Sequence, residues 1–307
     1  MPDHGRELRF GYFLVPNADD PLVATARRVE QAGLDCIGVQ DHPYQRRYVD
    51  TWALLATLAA STERVTVFPD VANLPLRPPA IIAKTAATID RLSGGRFELG
   101  LGAGAFWDAI EAMGGPRRTA GESLDALAEA VEVIRRVWSG ERGLRFDGRY
   151  YRLRGAHGGP EPAHPIGIWF GAYGPRALRL TARIADGWVP SFRGERQPIV
   201  DMTARLDSAA ADAGRDPGEI RRILNVAGTI TDGATTGGAT PGATGGAGDG
   251  PFRGPPERWV ELLTTFAVED GFDTFVLWAE GDGQLERFAE EVVPATRAEV
   301  ARARRSA

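Results

Sequence analysis

Asp41 and His42 stand side by side just past a short apolar run, Cys36-Ile37-Gly38-Val39. If that run is a strand, the pair lies at its carboxyl end, where an imidazole beside a carboxylate is well placed for proton transfer. The plainer alternative is a histidine that only packs. A second run, 97–101, ends in alternating glycines at Gly100, Gly102 and Gly104, where a backbone can approach a flat or anionic ligand closely. A third glycine turn, Gly171-Ala172-Tyr173-Gly174, opens a helix at Pro175-Arg176. Free N–H groups at a helix start suit a phosphate oxygen, and Arg176 adds a cation; a plain βα turn with proline at the first helical position is the competing reading. Ser191 and Arg193 are candidates for a polar or anionic group of a substrate or cofactor tail. Arg46, Arg47 and Arg196 fall on neighbouring loops, where a solvated arginine face is the ordinary expectation.

What is missing narrows the chemistry. Lys84 is the only lysine and lies mid-helix, which disfavours Schiff-base and pyridoxal chemistry. No GxxxxGK[ST] is present, and the four histidines, His4, His42, His157 and His164, form no HxH or HExxH pair. No metal site is expected. Cys36 is the only cysteine, so no intrachain disulfide forms. A net charge of −5 gives no support for nucleic-acid binding. With no apolar run of about 18 residues and no signal-peptide pattern, no membrane partner and a cytoplasmic location are expected. Such a chain borrows its chemistry from an organic cofactor.

The elements that must position these residues alternate along the chain. Strands are expected at 8–15, 36–39, 65–68, 97–101, 166–170, 187–190, 222–230 and 274–278. Helices are expected at 21–32, 51–60, 78–92, 123–138, 175–185, 198–213 and 256–268, with a last one from about 285. In the helix at 78–92, Ile82, Ala86, Ile89 and Leu92 mark the apolar face, and Ser93-Gly94-Gly95 ends it. A hairpin around Asp147-Gly148 interrupts the repeat. Eight strands with intervening helices fit an α/β (β/α)8 TIM barrel; a doubly wound open sheet is the alternative. The even spread over 1–307, with no linker, favours one barrel domain. Residues 232–254 are almost entirely Gly, Ala, Thr and Pro, a composition unable to offset its ordering entropy by burial. They read as a flexible surface insertion on the active-site face, where a lid would sit.

Six segments in order carry a resemblance: GYFLVP (11–16), VQDHP (39–43), NLPLRPPAIIAKTAATIDRLSGGRFELGLGAG (73–104), EAVEVIRRVWSGE (129–141), IWFGAYGPRALRLTARIADGWVPS (168–191) and WVELLTTFAVEDGFDTFVLW (259–278). On these the chain resembles the luciferase-like (LLM class) flavin- or deazaflavin-dependent oxidoreductases. The resemblance implies a barrel of the bacterial luciferase type with insertions at its carboxyl face, where the cofactor lies. It places Val71, Ala72 and Asn73 on a bulge, often with a non-proline cis bond, that buttresses the ring. Gly102, Ala103 and Gly104 then run along the cofactor, Asp108 lies near its ring or ribityl chain, and Gly171, Ala172, Tyr173, Gly174 and Arg176 take its phosphate. His42 assists hydride or proton transfer and Asp41 orients it.

A sugar-phosphate dehydrogenase branch carries a glutamate immediately after the glycine loop. Here Ala105, Phe106 and Trp107 follow instead, which points to an aromatic-lined substrate pocket and away from that activity. The expected function is hydride transfer between coenzyme F420 and a small organic substrate. The alternatives are a reduced-FMN monooxygenase fed by a separate flavin reductase and a non-catalytic flavin-binding relative. A separate F420 reductase and a homodimer are the expected protein partners.

Overall fold

The computed structural model describes residues 3–233 and 252–306. Short apolar runs cannot cross a layer of helices alone, so they pair, and eight of them close on each other. These are β1 (Arg9–Leu14), β2 (Cys36–Val39), β3 (Thr66–Pro69), β4 (Leu99–Gly102), β5 (Ile168–Phe170), β6 (Gly187–Trp188), β7 (Arg221–Ile230) and β8 (Thr274–Ala279). All pair in parallel in the order β3-β2-β1-β8-β7-β6-β5-β4. The ring shuts where Val67 bridges Phe97, with Val67 N donating to Arg96 O at 3.0 Å and Glu98 N to Val67 O at 3.2 Å. A closed ring has no free strand edge, so the architecture is the (β/α)8 barrel and not an open doubly wound sheet.

The helices form the outer layer: α1 (Leu22–Gln31), α2 (Thr51–Ser61), α3 (Pro79–Ser93), α4 (Trp107–Ala112), α5 (Ala120–Trp138), α6 (Pro175–Ile184), α7 (Gln197–Asp212) and α8 (Pro256–Val268). The chain ends in α9 (Gln284–Arg287), a π turn over Phe288–Val292, and α10 (Val293–Ser306). Each starts where its sequence allows. Thr119 and Glu122 form a reciprocal capping box at the head of α5, and Gly94, at φ 71°, closes α3. The expected hairpin is present as strands Leu144–Asp147 and Arg152–Ala156. Among the described residues no helix is long and apolar enough to cross a membrane.

Strand alternation splits the core in two. Outward residues pack under the helices, while Phe13, Cys36, Phe68, Trp169, Val189, Ile223 and Val276 fill the bore. Phe68 and Trp169 meet edge to face at 5.1 Å across it. At its amino end, Arg9 Nη2 donates to Thr66 Oγ1 at 2.8 Å and Arg221 Nη1 to Asp273 Oδ1 at 3.1 Å.

Two expectations are corrected. Leu92 does not share the buried face of α3; it is 85% exposed, and Ala83, Ala87 and Asp90 are buried with Ile82, Ala86 and Ile89. At about 100° per residue, position 92 lies some 80° back from Ile82, on the side away from Ala83 and Asp90. The insertion at 232–254 is also not uniformly a surface segment. Residues 234–251, with the lid expected there, lie outside the described residues. Phe252, however, is buried among Trp259, Phe192 and Phe266, and Arg253–Gly254 adds a short parallel strand to β7.

Asp90, wholly buried at the end of α3, collects the Ala163 and His164 backbone N–H groups at 2.7 and 3.2 Å and His164 Nδ1 at 2.7 Å. It thereby fixes the chain entering β5. The Glu98 carboxylate, 3.6 Å from Nε2, and then the charge of Asp90 hold His164 above the usual imidazole range. That stabilisation is complete below the unfolded pKa and is lost as pH rises through the higher folded value. Asp90→Ala is expected to lower the unfolding free energy by about 3 kcal/mol at pH 6 and by less at pH 9, measured by urea denaturation.

Candidate functional site

The strands deliver their carboxyl ends to one face, and the segment after β3 organises it. The Asp70–Val71 bond is a non-proline cis peptide, and the chain then pairs with β4 through Ala72 and Asn73. Asp41, at the end of β2, holds this segment: its Oδ2 accepts from Asn73 N at 2.9 Å. Burial pushes the Asp41 carboxyl above its ordinary range, and its Oδ1 has no partner among the described residues. Asp41 therefore anchors the bulge rather than the His42 ring.

The glycines around the bulge meet an internal demand first. A side chain on Gly102 or Gly171 would come within 2.9 or 3.0 Å of Val71 Cγ2, so both strands are bare where Val71 presses between them. Gly104, at φ 108°, leaves room for Pro75 and Trp107. Close approach was expected here, but the nearest thing approached is the protein's own bulge.

His42 is half-buried in an aromatic wall. It stacks on Tyr44 at 5.4 Å and meets the Phe106 ring edge to face at 5.4 Å. Burial alone lowers its pKa, so the ring is neutral near pH 7. Phe106 is 63% exposed and sits at φ 56°, where side chains other than glycine, asparagine and aspartate are rare. Across the mouth, Phe13 stacks on Trp278 at 4.7 Å.

A third group forms after β5 and β6. Ser191 N donates to Tyr173 Oη at 3.0 Å, and the Arg193 guanidinium lies 5.0 Å from the Tyr173 ring centre. Ala172 is turned into the core, its carbonyl accepting from Trp188 Nε1 at 2.8 Å. Gly174 has open space around it at the head of α6.

Other expected residues are not drawn in. The Asp108 side chain is 97% exposed and pairs with Arg117. Arg176 reaches Asp125 at 3.7 Å, beside Gly121. Arg47 pairs with Asp19, and Arg196 with Glu269 and Asp270. Sequence alone does not single out Tyr44, Trp278 or Asn225, and it marks Asp70 only as the residue that opens the 70–73 stretch. Asn225 had a signal: it is the polar member of an inward strand row, Ile223-Asn225-Ala227.

The model of the luciferase-like monooxygenase family matches residues 9–235. The chain belongs to this luciferase-like family. Its relatives include an F420-dependent glucose-6-phosphate dehydrogenase of Intrasporangium calvum, 32% identical over 67% of this chain and 64% of that protein. An F420-dependent hydroxymycolic acid dehydrogenase of Mycobacterium tuberculosis is 32% identical over 69% of this chain and 60% of that protein. The chain thus spans less than two thirds of the length of these curated relatives. Among solved structures, an F420-dependent secondary alcohol dehydrogenase in complex with an F420-acetone adduct superposes with a TM-score of 0.80 at 20% identity, covering 95% of this chain and 99% of that one. A long-chain alkane monooxygenase gives 0.78 at 14% identity, over 95% and 92%. Both likenesses are of fold. The cis bond that the resemblance implied is present in this luciferase-like barrel, one residue before Ala72.

Phe106 holds an unfavourable backbone conformation with most of its ring in solvent. Phe106→Asn is expected to raise the unfolding free energy by about 0.5–1 kcal/mol, since asparagine tolerates the left-handed region. Denaturant unfolding tests this; no gain would mean that the contacts with His42 and Tyr44 offset the strain.

Proposed function

We propose that this protein is an F420-dependent oxidoreductase acting on a small, largely apolar substrate with a hydroxyl or carbonyl group. The observation that carries the reading is His42, neutral and half-buried at the barrel mouth between Tyr44 and Phe106. A neutral imidazole in an aromatic wall accepts a proton from a substrate hydroxyl as hydride leaves the carbon, and returns it to the oxygen in reduction.

The mouth fits a polar planar cofactor. Asp41 Oδ1, Asp70 Oδ2, Asn73 Oδ1 and Asn225 Oδ1 are buried there with no partner among the described residues, which is unusual for polar atoms in a folded interior. Val71, Ala72, Asn73 and the Gly102-Ala103-Gly104 backbone would hold the ring, with Tyr173, Gly174, Ser191 and Arg193 toward the tail. F420 bound there would donate or accept the hydride. The names of the curated relatives support F420; FMN with a monooxygenase activity is the second reading, favoured by the likeness of the barrel to the alkane monooxygenase.

The substrate differs from that named for the glucose-6-phosphate dehydrogenases. The position after the glycine loop carries Ala105 and the exposed Phe106 ring instead of a carboxyl group, and the mouth's aromatic walls offer an apolar surface.

His42→Ala is expected to lower kcat by about 10²- to 10⁴-fold while changing the cofactor Kd by less than about threefold. Alcohol oxidation should slow as pH falls through a value below 6.5, where His42 becomes protonated. Unchanged turnover in the variant would remove His42 from the reaction. Absorbance titration with F420 and FMN separates the cofactors: oxidation of reduced F420 only with an added organic acceptor supports hydride transfer, and oxygen-dependent product from reduced FMN overturns it.

A further inference from the structure

Trp278 carries the inward row of β8 one step above the apolar fill. Val276 lies in the bore, and strand alternation turns the residue two positions on to the same side. The indole is 38% exposed at the mouth, while Phe13, Phe68 and Trp169, the aromatic rings of the fill, are buried.

Its two faces meet different neighbours. Toward β1, Phe13 follows in register and lies against the indole as a stack, with ring centres 4.7 Å apart and planes 20° apart. Because Phe13 is itself sunk in the bore, the indole has a fixed backing. Toward β7 the register neighbour is Ala227, an exposed residue with a single methyl group. The inward row of β7 runs Ile223, Asn225, Ala227 and so loses its bulk at the level of the indole. Below Ala227 the floor is held, since Asn225 Nδ2 donates to Asp70 Oδ1 at 3.1 Å. Beyond it Ser191 bridges Asn225, and the Tyr173 hydroxyl accepts the Ser191 N–H.

These residues bound a slot over Ala227, with the flat indole on the β8 side and Ser191 and Tyr173 past β6. The strands carrying the two walls are two spacings apart, about 10 Å, and a ring stacked on an indole sits about 3.5–4 Å from it. One flat ring fits beside Trp278.

We propose that Trp278 is a specificity-determining residue whose open face takes a flat ring of the substrate, which makes the substrate class aromatic or conjugated alcohols and ketones. A flat ring touches the indole over its whole face, whereas a puckered saturated ring of the same size touches it through a few hydrogens. The inference rests on the reading of the mouth as an oxidoreductase site for a hydroxyl or carbonyl compound, and adds the shape that site selects.

Two ketones of equal size isolate the effect, acetophenone with a flat ring and cyclohexyl methyl ketone with a puckered one. In calorimetric titrations of the full chain without cofactor, acetophenone is expected to have a Kd about fivefold lower, and Trp278→Leu to bring the two ketones within about twofold. Leucine keeps an apolar side chain over Phe13 but offers no flat face. In wild-type NMR spectra, the indole N–H resonance that is missing from Trp278→Leu should move with acetophenone and stay in place with cyclohexyl methyl ketone. Ala227→Phe, which fills the slot and leaves the indole, should abolish that movement. Equal affinities in the wild type, a preference kept by Trp278→Leu, or movement confined to other indoles would each overturn the proposal. Trp278→Leu should bind F420 and FMN within about threefold of the wild type, and a larger loss gives the open face to the cofactor and overturns it. If neither cofactor binds the wild type, the oxidoreductase reading fails, while the ketone comparison still decides whether Trp278 selects a flat ring.

Discussion

A ring of eight parallel strands encloses a bore of fixed width, and whatever points inward must fill it. Phe13, Phe68, Trp169, Ile223 and Val276 fill the middle, and charged groups are pushed to the two ends, where water or a partner is in reach. At the amino end the arginines find Thr66 and Asp273. At the carboxyl end the polar residues keep oxygens unpaired. The amino end is closed by its own pairs, while the carboxyl end leaves acceptors that no described residue satisfies.

The segment 69–75 organises that face. It leaves β3, crosses to pair with β4, and is held from β2 by Asp41. Val71 fills the space that side chains on Gly102 and Gly171 would take, so three successive strand ends are bound to one short piece of chain. His42 follows Asp41 directly, which ties the position of the imidazole to the same anchor. A substitution at Asp41 would therefore disturb the bulge and the histidine together.

Much of this was legible in the chain because periodicity is local. Strand and helix order, the glycine stop of α3 and the hairpin at Asp147-Gly148 follow from residues a few positions apart. Asp41-His42 could be found because adjacency in sequence survives folding. The Asp70–Asn225 pair was hidden because it joins positions 155 apart, and the Phe13–Trp278 stack because it joins the first strand to the last. Arg176 and Asp108 show the converse: a residue type suited to a ligand was satisfied by a nearby charge on an outer helix. Leu92 shows that a plausible spacing of apolar residues does not fix which side of a helix meets the sheet.

The ends of the Gly- and Thr-rich insertion are clamped. Asp232 pairs with Arg287 at 2.9 Å, and at the other end Phe252 is sunk in an aromatic cluster while Arg253 and Gly254 lie alongside Thr229 and Ile230. When two anchors lie one strand spacing apart, lengthening the chain between them costs only about 0.6 kcal/mol for each doubling in loop-closure entropy. Sequence inserted between those anchors, up to a small domain, would therefore leave the pairing of Arg253 and Gly254 with Thr229 and Ile230 in place.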